Sequence, residues 1–288
     1  MLPTPCTAHV SFDTIYEPSE DSYLFLDTLS SASESAWLRA RFSASTSSPS
    51  PSPSPLIVEA GTGSGVVLAF VTANSAHILG RTDVLALGTD VNRNACVATR
   101  QTVVKAVQEQ QAQQSQPQPD PSQPKAKATT TPPKSILTST LLTDLISPLR
   151  PRSIDILLFN PPYVPTPDLP ILPTPSTSSQ TEMTRSEKFD HESYLLSLTY
   201  AGGRDGMETT ERLLDAIPGV LAKRGVAYVL LCAQNRPREV VERIRGWDIS
   251  ASGDGSGVGE GEGGKWCAEV VGRSGLQAGW EKLVIVRV

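Results

Sequence analysis

The sequence predicts an α/β fold in which a seven-stranded, mostly parallel sheet has helices on both faces. Seven short runs of the 288-residue chain are rich in Val, Ile and Leu, as buried strands are. Helix-like stretches separate most of these runs, which is the pattern of parallel strands joined by crossover helices. Only a Gly-rich segment and "SGLQAGW" separate the last two runs. We therefore expect these two to form an antiparallel hairpin at one edge of the sheet, with the last strand antiparallel to the rest.

The predicted elements follow one another in a regular order. "EPSEDSYLFLDTLSSA" (17–32) has Ser19 as a candidate N-cap, acidic residues in the first turn and apolar residues after them, which is typical of a helix. The strands are predicted at 56–60, 84–90, 136–140, 155–160, 226–232, 266–273 and 282–288. The later helices are predicted at 65–75, 92–107, 192–200, 207–222 and 236–246.

Several stretches stand apart by their low-complexity composition. Three of them are rich in Ser, Pro, Gln, Thr or Gly and bury too little apolar surface to offset the entropy lost on ordering. A fourth, "TPDLPILPTPSTSSQTEMTRSEK", has the same character more weakly. We therefore predict one domain over 1–288 with low-complexity insertions at about 43–55, 108–134, 166–188 and 252–264.

The charge and the cysteine content disfavour several classes of protein. The net charge of −5 and the pI of about 5.3 provide no basic excess to hold a nucleic acid. The four cysteines form no C-x-x-C pair, which argues against a zinc site or a disulfide framework. The N-terminal residues lack the features of a secretory signal, and no uncharged apolar run approaches the roughly 20 residues of a membrane helix. We expect no bound metal and no membrane, and a cytoplasmic location with the nucleus as an alternative.

A Gly-rich turn follows the first predicted strand. In "VEAGTGSG" (58–65) the glycines stand at 61, 63 and 65, where a backbone without Cβ atoms can approach a ligand closely. The spacing is G-x-G-x-G and differs from the G-x-G-x-x-G form typical of dinucleotide sites. The turn, with Glu59 just before it, indicates a cofactor site, and the alternative is a plain tight turn between strand and helix.

Two aspartates follow the next two predicted strands. Asp90 ends the second strand, where a carboxylate can accept both hydroxyls of a ribose, as in nucleotide-binding doubly wound folds. The alternative for Asp90 is a helix cap. Asp144 lies just beyond the third strand and is a candidate acceptor for the exocyclic amine of an adenine. The alternative for Asp144 is ordinary turn chemistry.

The stretch "DILLFNPPYV" (155–164) is the most informative motif. Two prolines end the strand abruptly, because proline lacks a backbone N–H and fixes φ. If this fourth strand lies beside the first, Asn160 faces the same crevice as the Gly-rich turn. The side-chain oxygen of Asn160 and the carbonyl of Pro161 are two acceptors, and Tyr163 adds a flat ring, so the motif suits a planar –NH₂ group. The alternative is a Pro-rich turn that merely closes a strand.

Together, "NPPY" and "EAGTGSG" resemble the class I S-adenosylmethionine-dependent methyltransferases that modify planar amino nitrogens, a Rossmann-like fold class. The ordered set "IYEPSEDSYLFLDTL", "EAGTGSGVV", "TDVNRNA", "TDL", "DILLFNPPYV" and "AGGRDGME" is similar to the eukaryotic branch of the HemK-type glutamine methyltransferases. That family modifies the glutamine of the Gly-Gly-Gln loop in class 1 translation release factors. The resemblance spans nearly the whole chain outside the low-complexity insertions.

The resemblance implies a role for each motif residue, with S-adenosyl-L-methionine as the cofactor. The expected cofactor-binding residues are Ser22, Glu59, Gly61, Gly63, Asp90, Asp144, Leu145 and Asn160. The expected catalytic residues, which would hold the substrate amide, are Asn160, Pro161, Pro162 and Tyr163. The "AGGRDG" segment (201–206) would form a loop near the mouth of the substrate site.

The resemblance also implies a partner. Strand 136–140 would be an open edge of the sheet, which is either an aggregation liability or a docking site. In the family a small zinc-binding activator subunit covers this side, so we expect a heterodimer here too. The alternative is that the insertion at 108–134 folds over the edge.

Other functions are compatible with parts of this pattern. Methylation of adenine N6 in DNA or RNA uses the same NPPY chemistry, although the low pI argues against a nucleic-acid substrate. Histone lysine methylation is a further alternative, but it suits a pocket for planar amines poorly. A nucleotide-binding scaffold with an inactive site and an NAD-dependent dehydrogenase are the alternatives from other classes.

Overall fold

The computed structural model describes residues 2–43, 52–114, 135–173, 184–247, 266–275 and 282–288. The predicted low-complexity stretch 252–264 lies outside the described residues, as do parts of the other three. Across the described part of the chain, every helix is too short or too polar to span a bilayer.

Within the described ranges the sheet has seven strands, as predicted, and it forms the centre of the molecule. The strands are β1 (Leu56–Ala60), β2 (Leu85–Asp90), β3 (Ile136–Leu142), β4 (Ile154–Phe159), β5 (Leu221–Cys232), β6 (Glu269–Arg273) and β7 (Leu283–Arg287). Their order is β3-β2-β1-β4-β5-β7-β6. The first five pair in parallel, and β7 runs antiparallel to both of its neighbours. The predicted mostly parallel sheet with an antiparallel last strand is therefore confirmed.

The predicted helices are present in the predicted order and differ from the prediction in extent. They are α1 (Glu20–Ser30), α2 (Ala32–Phe42), α3 (Val66–Ala73), α4 (Ser75–Leu79), α5 (Arg93–Gln114), α6 (Arg185–Tyr200), α7 (Glu208–Val220) and α8 (Pro237–Arg245). Helix α5 continues into the predicted insertion at 108–134, and α6 begins within the predicted insertion at 166–188. Ser19 occupies the N-cap position of α1, but its side chain makes no capping hydrogen bond.

Helix α2 was not predicted. Its sequence is rich in small and polar residues, so the apolar periodicity is weak, and only a few side chains such as Leu38 and Phe42 are buried. A capping signal was nevertheless present: Ser31 stands three residues before Glu34, and the Ser31 hydroxyl accepts a hydrogen bond from the Glu34 backbone N–H at 3.2 Å.

The central strands of the sheet bury both of their faces. In β4 the side chains of Ile156 and Leu158 belong to one apolar core, together with residues of α1 and α3, and those of Leu157 and Phe159 belong to the other, together with residues of α7 and α8. All six residues of β4 are buried. Because successive side chains of a strand point to opposite faces, a strand covered on both faces appears as an uninterrupted apolar run.

One buried ion pair ties α2 to the sheet. The Glu34 carboxylate accepts two hydrogen bonds from Nη1 of Arg287, each 2.9 Å long, and a third from the Tyr228 hydroxyl. The Arg287 guanidinium also lies over the Trp37 ring, 4.0 Å from its centroid. Glu34 is buried, and burial of its charge without a partner would be energetically unfavourable. The network supplies the ion pair and hydrogen bonds that this carboxylate needs.

Strand register brings the sequence motifs to one place. β1 lies between β2 and β4, and Ala60 is paired with Thr89 on one side and Phe159 on the other. The residues that follow, Gly61 and Asn160, and Asp90, which follows Thr89, therefore emerge together at the carboxyl edge of the sheet.

Candidate active site

A cavity of about 490 Å³ opens at the carboxyl ends of β1, β2 and β4. All eleven residues that the sequence singled out line this one cavity, including those from the N-terminal helix and from beyond β3. They are Ser22, Glu59, Gly61, Gly63, Asp90, Asp144, Leu145, Asn160, Pro161, Pro162 and Tyr163. Parallel pairing accounts for most of this grouping, because the carboxyl ends of parallel strands lie at one edge.

The Gly-rich turn takes a backbone conformation that favours glycine. Gly61, Gly63 and Gly65 have φ values of 62°, 51° and 76°, in the left-handed region. A Cβ on Gly65 would lie 2.6 Å from the Thr99 Cα, so this glycine lets the turn pack against α5. A Cβ on Gly63 would meet nothing within 4 Å, which leaves open space beside the turn.

Two carboxylates flank the turn. Glu59 is buried, and its Oε2 accepts a hydrogen bond from the Leu68 backbone N–H at 3.1 Å. Burial raises the pKa of Glu59 well above its ordinary value, and the charge of Asp90 raises it further. Asp90 accepts hydrogen bonds from the backbone N–H groups of Gly63 at 3.0 Å and Asn92 at 2.8 Å, and burial raises its pKa as well. The site therefore presents one buried and one half-buried acid group to the cavity, and the pKa of each is raised.

Asp144 has a partner that the sequence did not reveal. Its carboxylate forms an ion pair with Arg212 of α7, and both residues line the cavity. The two residues are 68 positions apart, so only the packing of α7 brings them together. Leu145 next to Asp144 has a φ of 48°, a left-handed conformation that is unusual for leucine and shapes this wall of the cavity.

The Asn160 amide is held at one end and unpaired at the other. Its Nδ2 donates a hydrogen bond of 3.0 Å to Oδ2 of Asp21, on α1. Its Oδ1 is buried and has no hydrogen-bond partner among the described residues. Since buried polar atoms in folded proteins are nearly always paired, an unpaired acceptor on a cavity wall indicates a ligand with an N–H or O–H group.

The "AGGRDG" segment packs against the NPPY loop. The Gly202 backbone N–H donates to the carbonyl of Val164 at 2.8 Å. A Cβ on Gly206 would lie 2.0 Å from the Tyr163 carbonyl oxygen, so only glycine allows this contact. Ala201 also lines the cavity, and this segment therefore borders the site beside Tyr163.

Comparison with known proteins shows which family the chain is similar to. The chain is 28% identical over 250 residues to the methyltransferase HEMK2 of Homo sapiens, and the match covers 84% of each chain. It is 25% identical over 249 residues, 85% of each chain, to a Schizosaccharomyces pombe protein named eRF1 methyltransferase catalytic subunit mtq2. These similarities support a eukaryotic HemK-type methyltransferase. No protein-family model matches the chain.

A shorter match points to the same family. A putative protein N5-glutamine methyltransferase of Methanocaldococcus jannaschii is 31% identical over 91 residues, which are 32% of this chain and 36% of that protein. A methyltransferase requires a methyl donor. The Gly-rich turn and the NPPY loop, the two strongest sequence motifs, follow neighbouring strands and both line a single cavity, so a donor held by one would lie near an acceptor held by the other.

One wall of this cavity was not predicted from the sequence. Segment 164–173 and helix α6 carry apolar side chains that line the cavity beside the NPPY loop. They include Leu169, Pro170, Leu172, Leu195, Leu198 and Tyr200. The Tyr194 hydroxyl donates a hydrogen bond of 2.6 Å to the Ile171 carbonyl and ties the segment to the helix. The composition of 166–188 obscured this wall, because Pro- and Ser-rich sequence predicts little order.

Proposed function

We propose that this chain transfers the methyl group of S-adenosyl-L-methionine to the side-chain nitrogen of the glutamine in the Gly-Gly-Gln loop of the eukaryotic class 1 translation release factor. The observation that carries this proposal is the buried, unpaired Oδ1 of Asn160 on the cavity wall. An amide –NH₂ group is a donor that such an acceptor binds. The names of the fission-yeast and archaeal relatives, which specify eRF1 and protein glutamine, support the choice of substrate.

The residues around the Gly-rich turn fit S-adenosyl-L-methionine. The open space beside Gly63 admits a ligand close to the backbone. The carboxylates of Glu59 and Asp90 suit the ammonium group and the ribose hydroxyls of this cofactor, respectively. Asp144 and Leu145 would flank its adenine, and Ser22 would contact it from α1. When bound, the cofactor supplies an electrophilic methyl group on a sulfonium.

The chain's own residues would activate a poor nucleophile. A glutamine amide nitrogen is weakly nucleophilic because its lone pair is delocalised into the carbonyl. Asn160 Oδ1 and the Pro161 carbonyl would each accept one N–H of the substrate amide, and so stabilise the positive charge that develops on nitrogen. A well-placed polar group of this kind is typically worth 10²–10³-fold in rate, roughly. Tyr163 would pack against the flat face of the amide, which aligns it for transfer.

Proton release needs no base before the methyl group moves. The amide nitrogen gains the methyl group and then loses one proton to solvent, so atoms and charge balance. None of the described residues that line the cavity is a histidine, and Glu59 is engaged with the Leu68 backbone. The acceptors of the NPPY loop therefore carry the chemistry.

The test is methyl transfer from labelled S-adenosyl-L-methionine to a recombinant release factor. We expect label on the loop glutamine, lost when that glutamine is replaced by Ala, and reduced about 10²–10³-fold in Asn160→Ala. Asn94→Ala is the matched control, because Asn94 is exposed and does not line the cavity. Tight cofactor binding without label on the release factor would contradict the assignment, and label on an adenine-containing oligonucleotide would then identify the other substrate class.

We further propose that a small zinc-binding activator subunit forms a heterodimer with this chain at strand β3. This strand is the edge of the sheet, and Ile136 and Leu142 on it are 51% and 57% exposed. An exposed apolar edge strand invites pairing with another chain. The fission-yeast relative is named a catalytic subunit, which supports an assembly with a second subunit.

Co-purification tests this partner. We expect the chain and a tagged activator to elute together with zinc, and Leu142→Asp to abolish the complex. Tyr23→Asp is the matched control, because Tyr23 is 46% exposed on α1, which packs against β6 at the opposite edge. A complex that tolerates Leu142→Asp would place the partner elsewhere, and a monomer with full activity would show that none is required.

A further inference from the structure

Asp21 is a buried carboxylate whose two oxygens are both engaged. It lies in the first turn of α1 and is only 3% exposed. Oδ1 accepts a hydrogen bond from the Ser22 backbone N–H at 2.6 Å. Oδ2 accepts the 3.0 Å hydrogen bond from Nδ2 of Asn160. Its place near the N-terminus of a helix also favours its negative charge.

We propose that Asp21 is a positioning residue that fixes the orientation of the Asn160 amide. This inference rests on the proposed function. An asparagine amide is nearly symmetrical in shape, so rotation by 180° exchanges its C=O and NH₂ edges. A carboxylate offers only acceptors, so the NH₂ edge of Asn160 must face Asp21. The opposite edge, Oδ1, is then held toward the substrate as an acceptor.

The neutral isostere of Asp21 would reverse this orientation. In Asp21→Asn, the Ser22 N–H still requires an oxygen, and this places the new NH₂ group where Oδ2 stood. Two NH₂ groups would then face each other across the contact with Asn160, and neither can accept. Rotation of the Asn160 amide relieves the conflict and presents an NH₂ group to the substrate amide. A donor there repels the group that the site must bind.

The activity test compares Asp21→Asn with Asn160→Ala. We expect Asp21→Asn to lower kcat on the release factor about 10²–10³-fold, as loss of the acceptor does, with an unchanged dissociation constant for S-adenosyl-L-methionine. Glu20→Gln is the matched control: it removes a carboxylate from the same helical turn, but Glu20 does not line the cavity. We expect wild-type kcat from Glu20→Gln.

A double mutant distinguishes positioning from a general structural role. If Asp21 acts through Asn160, then adding Asp21→Asn to Asn160→Ala causes no further loss of kcat. Equal losses in both backgrounds would overturn the inference. A loss of cofactor affinity in step with the loss of kcat would overturn it too, because Asp21 would then support the cofactor and not the amide.

A measurement without turnover separates this inference from the proposed function. In the full chain labelled with [¹⁵N]asparagine, Asn160→Ala identifies the side-chain NH₂ signals of Asn160. We expect one of these protons to be shifted downfield by its bond to a carboxylate and to lose that shift in Asp21→Asn. Unchanged signals in Asp21→Asn would overturn the inference. If the wild-type chain methylates no release factor, the proposed function fails, and the NMR result alone decides the role of Asp21.

Discussion

Replacement of Gly65 by alanine is expected to destabilise the protein more than the same replacement of Gly63. Both glycines have positive φ, 76° and 51°, so alanine at either position costs roughly 1–2 kcal/mol for the left-handed conformation. Only at Gly65 does the added Cβ meet the chain, 2.6 Å from the Cα of Thr99. That neighbour is backbone and cannot rotate away, so α5 or the turn must shift.

The extra cost at Gly65 follows from this contact. Forcing an added methyl group into a packed region costs about 1–3 kcal/mol. We therefore expect Gly65→Ala to lower the free energy of unfolding by about 2–5 kcal/mol, and Gly63→Ala, where a Cβ meets nothing within 4 Å, by about 1–2 kcal/mol. The difference isolates the packing of the turn against α5.

Urea denaturation of the full chain without cofactor measures both values. The absence of cofactor matters, because Gly63 lines the cavity and a ligand would stabilise the two variants unequally. The slopes of unfolding free energy against urea should agree among the three proteins, which validates the comparison. Equal destabilisation by the two variants would refute the reasoning, since the contact with Thr99 would then have no energetic consequence.

Two further predictions concern buried carboxylates. Burial raises the pKa of Glu59 well above its ordinary value of 4.5, so its contribution to stability is complete below pH 4.5 and is lost as the pH rises through the folded-state pKa. We expect Glu59→Gln to flatten the decrease in unfolding free energy above pH 4.5, and an unchanged slope would contradict this. Glu34→Ala leaves Arg287 without its buried partner and should cost roughly 3–5 kcal/mol by urea denaturation. The surface pair of Glu242 and Arg245 is the control, where Glu242→Ala should cost at most about 1 kcal/mol, and equal losses would refute the difference.

The order of the strands along the chain could be predicted from the sequence for a physical reason. A strand buried on both faces is apolar along most of its length, so runs such as 56–60 and 154–159, each with a single acidic residue, can be recognised without knowledge of the fold. Helix α2 was not predicted because it buries few large side chains and lies beside the Ser/Pro-rich stretch, where composition predicts little order.

The grouping of several site residues could also be predicted, because parallel strands place their carboxyl ends at one edge of the sheet. Once 56–60, 84–90 and 155–160 were taken as neighbouring parallel strands, Gly61, Asp90 and Asn160 had to lie close together. The structure confirms their proximity around one cavity. Their individual roles stay predictions, which the methyl-transfer and binding experiments address.

The sequence by itself determined the fold class and which residues end strands, since local apolar patterns suffice for these; the order of the strands around β1 was an assumption that the structure confirmed. Only the tertiary structure decided which side chains meet: Asp21 lies 139 residues from Asn160, and Arg212 lies 68 from Asp144. Such contacts depend on how α1 and α7 pack against the sheet. Local sequence carries no signal of those distances, and so it could not show which edge of the Asn160 amide is held by a carboxylate.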